Sequence, residues 1–303
     1  MKVGFVGVGA IGMPMAERLL AHHDVTVYDV TASQVALLAA KGATAASSAA
    51  EAAQGADATI VMVATPAQLN SALFGAGGVA EGAVAGSTVI IMSSVGIDSV
   101  VRAAEKLDQL GILVLDAPVT GGVVRADTGE LTLLIGGDSA LVAAMKPVLS
   151  LLGTTLAQCG DRVGDGQAVK LVNQLLCSVH LAVAGEALTL ADSLGLDPQA
   201  VLDIIGSGAA SSFMLNDRGP RMLQNNPSVL SAIDIFVKDS TLVQDAAAIS
   251  GAATPILDAA AARFTQAQLA GLGRSDDSAV IQTYGFTVSS LTRTTGPEVI
   301  AVG

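Results

Sequence analysis

Val3-Gly4-Phe5-Val6-Gly7-Val8-Gly9-Ala10-Ile11-Gly12 is the stretch that decides the fold of this 303-residue chain. The apolar run at its beginning predicts a short strand, and Met13 to Ala21 behind the third glycine predict an amphipathic helix. A second strand is expected from Val25 to Tyr28. Strand, glycine turn, helix and strand form the context in which a G-x-G-x-x-G pattern becomes informative.

The three glycines of this turn differ in what they allow. Gly7 and Gly9 permit a tight bend and the close approach of a pyrophosphate, while Gly12 lets the helix pack against the sheet. The backbone N–H groups of Ala10 and Ile11 face the phosphates at the positive end of the helix, so no basic side chain is required. The stretch predicts a dinucleotide site, the alternative being a glycine-rich turn in an unrelated α/β protein.

Asp29 favours one dinucleotide over the other. It follows Gly12 by 17 residues, at the end of the second predicted strand. A carboxylate at that position accepts hydrogen bonds from the ribose hydroxyls and repels a 2′-phosphate. We therefore expect NAD rather than NADP as the cofactor.

Strand and helix patterns alternate up to Gly160, and from Gly164 onwards the pattern is helical. Further strands are expected at 58–63, 89–92, 112–115, 131–135 and 154–157. The sequence thus predicts an α/β fold in two domains. An N-terminal Rossmann domain with a doubly wound sheet occupies residues 1–163, and a long helix joins it to an all-α C-terminal domain in residues 164–303.

Residues that follow the predicted strands lie where ligands of open parallel sheets bind. The segment from Ala64 to Gln68 and Ser94 are placed in this way, although Ser94 fits the role of a helix cap equally well. Thr120-Gly121-Gly122 combines a hydroxyl with exposed backbone amides. Such a loop can bind a carboxylate without a charged side chain, and an ordinary glycine turn is the alternative.

The long helix opens with Gly164-Asp165-Gly166-Gln167-Ala168-Val169-Lys170-Leu171-Val172-Asn173-Gln174. Lys170 is the only basic residue in its first half. Asn173 lies three residues further on, so an ammonium and an amide project from the same helical face. This pair is a candidate reactive site. The alternative is a surface lysine whose stem covers apolar neighbours.

Composition and charge restrict the function classes. Acidic residues number 27 against 15 basic residues, a net charge of −12, which argues against binding nucleic acid or an anionic membrane. Two cysteines make no disulfide framework and fit a reducing compartment. No signal-peptide pattern opens the chain, and the uncharged run 58–80 is interrupted by Pro66 and several glycines. We expect a cytoplasmic protein without a membrane span, and we assign no metal ligands.

Taken together, several segments resemble the β-hydroxyacid dehydrogenase family, which includes 3-hydroxyisobutyrate, tartronate-semialdehyde and 6-phosphogluconate enzymes. The matching segments, in the family's order, are 4–16, 116–122, 128–132, 164–173 and 238–239. The resemblance implies a Rossmann domain that binds NAD(P) and a helical domain used for substrate closure. It also implies a homodimer or homotetramer.

The resemblance further implies roles for individual residues. Lys170 matches the catalytic lysine of the family, and Asn173 matches the amide that orients the substrate. Thr120, Gly121 and Gly122 fall on the segment that binds the substrate carboxylate. Lys238 matches a lysine that reaches the nicotinamide end of the cofactor. Further cofactor contacts are implied for Val63, Ala64, Gln68 and Ser94.

The reaction that the resemblance implies is reversible hydride transfer between NAD and a small hydroxy acid, with Lys170 taking the hydroxyl proton. A lysine can do this only where its surroundings favour the neutral amine. Segments 213–223, 231–239 and 276–280 look like the L-threonate dehydrogenase branch, which oxidises the C2 hydroxyl of a four-carbon sugar acid. Arg218, Arg221 and Asp234 are candidates for holding such a polyol acid, unless they are ordinary surface charges.

Three alternatives stay open at this point. The substrate can instead be 3-hydroxyisobutyrate or the tartronate-semialdehyde and glycerate pair. The chain can also be a non-catalytic NAD-binding module. An imine reductase shares the expected architecture but is disfavoured, because those enzymes generally replace the lysine.

Overall fold

The computed structural model describes residues 1–287 and divides the chain into two compact units. The first unit is Met1–Leu171 and the second is Val172–Gly303. In the described part of the chain, nine strands form one sheet, which lies in the first unit. These strands are β1 Lys2–Val6, β2 Asp24–Tyr28, β3 Thr44–Ala45, β4 Ala58–Val61, β5 Thr88–Ile91, β6 Leu113–Asp116, β7 Val119–Thr120, β8 Leu131–Gly136 and β9 Gly153–Gly160.

The sheet confirms the predicted Rossmann topology. Its strands follow the order β3-β2-β1-β4-β5-β6, with every neighbouring pair parallel. The direction of strand addition reverses between β1 and β4, which is the point at which such sheets bind dinucleotides. Beyond β6 the sheet continues through antiparallel β8, which also pairs with β7 and β9. The two-residue strands β3 and β7 are too short to leave a pattern in the sequence.

Helices cover both faces of the sheet, as doubly wound folds require. The helices of the first unit are α1 Gly12–Leu20, α2 Ala32–Ala39, α3 Ala49–Ala53, α4 Pro66–Phe74, α5 Val79–Gly82, α6 Ile97–Asp108, α7 Gly122–Thr128 and α8 Ser139–Leu152. Helix α6 shows why such segments are helical, because its buried residues Val100, Ala103 and Leu107 recur at intervals of three and four. Parallel strands between such layers are buried on both sides, and all four residues of β4 are buried.

Every helix or strand assigned to the described residues of the second unit is a helix, which confirms the predicted all-α domain. The long helix α9 Asp165–Ser193 leads into it. The later elements are α10 Pro198–Ile205, α11 Phe213–Met222, α12 Ile233–Ser250, α13 Pro255–Ala267, a π-helical segment Gln268–Leu272 and a 3-10 helix Asp277–Tyr284. Their apolar faces form one core, in which the rings of Phe236 and Phe264 lie 5.0 Å apart.

Helix α9 is long and apolar enough, by length and composition, to cross a membrane. Its buried residues Leu181, Ala184 and Leu188 belong to the core of the second unit. That packing accounts for the apolar composition, because the core helix of a soluble protein passes the same test.

The division between the units falls inside α9, after Leu171, whereas the sequence pattern places it after residue 163. The backbone N–H groups of Gly164 and Gln167 both donate to the carboxylate of Asp116, at the end of β6. The first turns of α9 are therefore bonded to the sheet, although their sequence is that of the helical region.

Candidate active site

The glycine turn after β1 has the geometry that a dinucleotide requires. Gly7 has a φ of 95°, and a Cβ atom there would lie 2.2 Å from the carbonyl oxygen of Met62. A Cβ atom on Gly12 would lie 2.1 Å from the carbonyl oxygen of Gly7, so this glycine lets α1 pack closely. Gly9 is exposed and has no described atom within 4 Å of its Cβ position. A phosphate has room to approach there, next to the free N–H groups of the first helical turn.

Ala10 and Ile11 lie between Gly9 and α1, as the sequence predicts. Ala10 is exposed and Ile11 is half-buried. Ile11 occupies the N-cap position of α1. Their backbone N–H groups therefore belong to the end of the helix that carries partial positive charge.

Asp29 stands directly beside this turn. Its Oδ2 accepts a hydrogen bond of 2.8 Å from the backbone N–H of Val8, and its Oδ1 accepts one of 2.8 Å from Thr31. A carboxylate offers about four lone-pair positions, so each oxygen keeps capacity for a further donor. The half-buried Asp29 is thus fixed in place with acceptor positions left for ribose hydroxyls.

The loop after β4 is tied to the end of β5. Val63 donates its backbone N–H to Ser93 Oγ at 2.7 Å, while Ala64 donates to Gln68 Oε1 at 2.9 Å. Gln68 also completes a capping box with Thr65 at the start of α4, which orders the loop. Ser94 is half-buried in the segment that follows β5. The β4 and β5 loops therefore lie side by side at the carboxyl edge of the sheet.

Gln167 connects this edge to α9 and was missed by the sequence analysis. Its Nε2 donates to the carbonyl oxygen of Ser93 at 2.9 Å, and its Oε1 accepts from the backbone N–H of Val95 at 3.1 Å. The side chain is 1% exposed. The sequence offered one indication of this role, because Gln167 lies three residues before Lys170 in a nearly uncharged helix.

Thr120, Gly121 and Gly122 form a turn between β7 and α7, with φ values of 136° and 72° at the two glycines. Residues with side chains rarely adopt such conformations. Thr120 is paired with Thr132 of β8, which fixes the start of the turn on the sheet. The half-buried hydroxyl and the two glycine amides thus follow directly from a strand that is paired in the sheet.

Lys170 lies on a buried polar face of α9. It is 8% exposed, which excludes the alternative of a solvated surface lysine. The other buried polar residues on this face are Gln167, Gln174 and Ser178, at spacings of three and four. A buried amine in such surroundings is a group suited to proton transfer.

Asn173 and Lys238 both lie in the second unit, where a chain of polar contacts joins them. Asn173 Nδ2 donates to Gln174 Oε1 at 2.8 Å, and Gln174 Nε2 donates to Asp239 Oδ2 at 2.5 Å. Lys238 Nζ lies 2.8 Å from Asp239 Oδ1, an ion pair whose orientation does not give that oxygen a hydrogen bond. The sequence analysis missed Gln174 and gave Asp239 no role, although both are buried.

Asp116 is completely buried beneath the start of α9. Its Oδ1 accepts from Gly164 N and its Oδ2 from Gln167 N, both at 2.8 Å. Burial raises the pKa of this carboxyl to about 6, against the lowering effect of the two backbone hydrogen bonds. In the sequence analysis Asp116 was only the first residue of the matching segment 116–122, and it was given no role of its own.

Arg218 and Arg221 form a structural ion network in the second unit. Arg221 Nε lies 3.0 Å from Asp276 Oδ1, and both arginines lie 3.2 Å from the carboxylate of Asp277. Burial raises the pKa of Asp277, while the nearby guanidinium groups oppose that rise. Asp234 is likewise engaged, since it accepts from Gln268 Nε2 at 2.7 Å. These contacts within the protein explain the presence of the three charged side chains, and no substrate is needed to explain them.

A class of protein is defined by three features: a parallel sheet with a glycine turn at its reversal point, an acidic residue beside that turn, and a buried lysine on the helix that is bonded to the sheet. It is that of the dinucleotide-dependent oxidoreductases. Comparison with known protein families gives the same class. Residues 2–160 match the NAD binding domain of 6-phosphogluconate dehydrogenase, and residues 164–284 match the NAD-binding region of NADP-dependent 3-hydroxyisobutyrate dehydrogenase. The chain belongs to the β-hydroxyacid dehydrogenase family and is an NAD(P)-dependent hydroxyacid dehydrogenase that acts on CH–OH groups.

Individual relatives are similar over nearly the whole chain. The L-threonate dehydrogenase of Cupriavidus necator is 36% identical over 284 residues, covering 93% of this chain and 96% of the relative. The L-threonate dehydrogenase of Haemophilus influenzae is 34% identical over 286 residues, covering 93% and 95%. The crystal structure of a 3-hydroxyisobutyrate dehydrogenase from Salmonella typhimurium superposes with a TM-score of 0.87 at 37% identity, covering 93% of this chain and 99% of that one.

Proposed function

We propose that this enzyme uses NAD to oxidise a four-carbon sugar acid such as L-threonate at C2, giving the 2-oxo acid. The observation that carries the proposal is the buried Lys170 on the polar face of α9. Relatives named L-threonate dehydrogenase favour the sugar acid over other hydroxy acids.

The chain's own residues divide the chemical work. Thr120, Gly121 and Gly122 bind the substrate carboxylate through a hydroxyl and backbone amides. Lys170 accepts the proton of the C2 hydroxyl as hydride leaves the same carbon, and it returns a proton in the reverse direction. Asn173, held by Gln174, orients the hydroxyl toward the amine.

The glycine turn and the neighbouring strand ends fit a dinucleotide. NAD, when bound, supplies the nicotinamide that accepts the hydride. Gly7, Gly9 and Gly12 with the amides of Ala10 and Ile11 would hold its pyrophosphate, and Asp29 would hold the adenine ribose. Val63, Ala64, Gln68 and Ser94 would line the cofactor on the other side of the turn, and Lys238 would reach its nicotinamide end.

A substrate panel tests the proposed substrate. L-threonate, D-threonate, L-erythronate, D-glycerate, L-serine and 3-hydroxyisobutyrate are compared by kcat/KM, with NADH absorbance as the readout. We expect L-threonate to be preferred, and its 2-oxo product to be identified by mass spectrometry after derivatisation. Preference for 3-hydroxyisobutyrate or glycerate would replace the proposed substrate but keep the enzyme class.

Asp29 is the residue that we expect to set the NAD preference. Asp29→Asn removes the charge and keeps one oxygen, which can still accept from the N–H of Val8 in the glycine turn, while the N–H of Thr31 loses its acceptor. A charged hydrogen bond contributes about 1.5–3 kcal/mol, so kcat/KM with NAD should fall by roughly tenfold or more. The value of kcat/KM with NADP should stay the same or rise, because the negative charge that repels the 2′-phosphate is gone.

Asp24→Asn is the matched control, since Asp24 is exposed at the other end of β2. This variant should keep the wild-type ratio of NAD to NADP efficiency. An unchanged ratio in Asp29→Asn, or a wild-type enzyme that prefers NADP, would contradict the assignment.

We also propose that the enzyme is a cytoplasmic homodimer or homotetramer. Val172, Leu176, Val183, Leu190 and Leu194 follow a heptad spacing on α9, and each is between 49% and 67% exposed. An apolar stripe of this kind is typical of a helix face that packs against another protein. A second copy of the chain is the partner that we propose. A chain with two cysteines has no disulfide framework, which agrees with a cytoplasmic location.

A double substitution tests this face. Val183→Glu with Leu190→Glu places like charges on both copies, so we expect a smaller species by sedimentation velocity. Ile249→Glu, on the exposed side of α12, is the control that should keep the wild-type mass. A monomeric wild type, or a double variant of unchanged mass, would refute the proposed interface.

A further inference from the structure

We infer that Asp116 is a positioning residue. It holds the first turn of α9 against the sheet and thereby fixes the position of Lys170, which lies further along the same helix. The inference rests on the proposed role of Lys170. It adds a group that touches neither substrate nor cofactor, and that acts through the backbone of the helix carrying the lysine.

The two glycines that surround Asp116 show that its site is built for a carboxylate. A Cβ atom on Gly136 would lie 2.3 Å from Asp116 Oδ1, and one on Gly166 would lie 2.8 Å from Asp116 Oδ2. A Cβ atom on Gly166 would also lie 2.2 Å from the carbonyl oxygen of Leu134. Helix, strand β8 and carboxylate can approach each other this closely only because both positions lack a side chain.

The carboxylate takes two of the N–H groups at the start of α9 that have no acceptor within the helix. Gln167, which supplies one of them, also binds the segment after β5 with its side chain. Lys170 follows Gln167 by one turn. The position of the amine is therefore set by Asp116 on β6 and by the segment after β5 together.

Protonation of Asp116 weakens this attachment. Each oxygen already faces an N–H donor, so a proton on either oxygen leaves one N–H without a good acceptor. The ionisable groups facing Asp116 are Asp165 on α9 and Cys159 on β9, and Arg162 pairs with Asp165. Asp165 is negative, so its charge favours protonation of Asp116.

The sign of the pH effect distinguishes positioning from unfolding. The pKa of Asp116, about 6, is raised from 3.8, so the folded state binds this proton more tightly than the unfolded chain. Its contribution to stability is full at acid pH and declines as the pH rises through about 6. The effect of Asp116 on kcat has the opposite sign. The attachment of α9 weakens as the pH falls through the same range, so kcat should decrease.

The test measures kcat for reduction of the 2-oxo acid with saturating NADH, from about pH 8 down to about pH 5. In this direction Lys170 must carry its proton, so acid pH does not inactivate the lysine. We expect kcat of the wild type to fall below about pH 6 without a loss of thermal stability. Asp116→Asn should lower kcat about tenfold near neutral pH and remove the acid fall, since one N–H then lacks an acceptor at every pH.

Asp165→Asn is the matched control on the same helical turn. Removing its charge should move the acid fall to lower pH while keeping the wild-type plateau. The three histidines are intact in both variants, so an acid fall that persists in Asp116→Asn has a cause other than Asp116 and refutes the inference.

Two further outcomes keep the inference separate from the proposed function. If Asp116→Asn does not fold, the pH profile of the wild-type enzyme is the test. A reductive kcat that stays constant down to about pH 5 then overturns the inference. Turnover that persists in Lys170→Met overturns the proposed function instead. Wild-type behaviour of Asp116→Asn beside an inactive Lys170→Met rejects only the positioning role.

Discussion

Lys170→Met is expected to abolish most turnover while leaving cofactor binding intact. General acid–base catalysis by a positioned side chain contributes roughly 10²–10⁴-fold, so kcat should fall by about that factor in both directions. Methionine keeps an unbranched, flexible stem in a site where the lysine is 8% exposed, so packing is preserved. The measurement is steady-state kcat with NAD and the preferred hydroxy acid, together with NADH affinity by fluorescence titration.

Lys146→Met controls for the loss of a cation. Lys146 lies on an exposed position of α8 in the same unit, and its substitution should leave kcat and NADH affinity at wild-type values. If Lys170→Met retained most of its turnover, another group would have to accept the proton. A parallel loss of NADH affinity would instead point to a role of Lys170 in holding the cofactor.

Arg221→Met is expected to be the most destabilising single substitution among those considered in the second unit. Arg221 contacts Asp217, Asp276 and Asp277, and its side chain is 10% exposed. Removing one partner of a buried ion pair costs about 3–5 kcal/mol. Here the buried Asp276 loses its guanidinium partner, while Asp277 keeps Arg218. We expect a loss of this size in the free energy of unfolding, seen as an earlier transition of the helical unit in calorimetry.

The surface pair of Arg102 and Asp98 gives a control with the same chemistry. Its two side chains are 65% and 66% exposed, and exposed pairs contribute about 0–1 kcal/mol. Arg102→Met should therefore leave the unfolding transition nearly unchanged. If Arg221→Met were equally harmless, while its KM for the hydroxy acid rose sharply, Arg221 would be a substrate residue after all.

Much of the fold was predictable from local sequence. The glycine turn, the buried strands and the amphipathic helices each leave a short-range pattern, since period and turn chemistry are fixed within a few residues. Strand Leu131–Gly136 begins at the predicted residue and ends one residue beyond the predicted end. Strands Thr44–Ala45 and Val119–Thr120 were missed because two residues are too few to show a period.

The site divides in the same way. The tight turn at Gly7, the close packing at Gly12 and the position of Asp29 beside the turn could be predicted, because they depend on backbone conformation and on position relative to one strand. Arg218 and Arg221 were open to a substrate role in the sequence. Their partner Asp277 lies more than fifty residues away along the chain, and only the folded unit brings these charges together.

By itself, the sequence determined that Val3 to Gly12 forms a dinucleotide turn and that Lys170 stands near the start of a long helix, because both follow from local conformation. Only the tertiary structure decided that Lys170 is buried and that Asp116 and Gln167 fasten its helix to the sheet. These contacts join residues about 50–75 positions apart. Burial and hydrogen-bond partners depend on which strands become neighbours, and no local pattern records that choice.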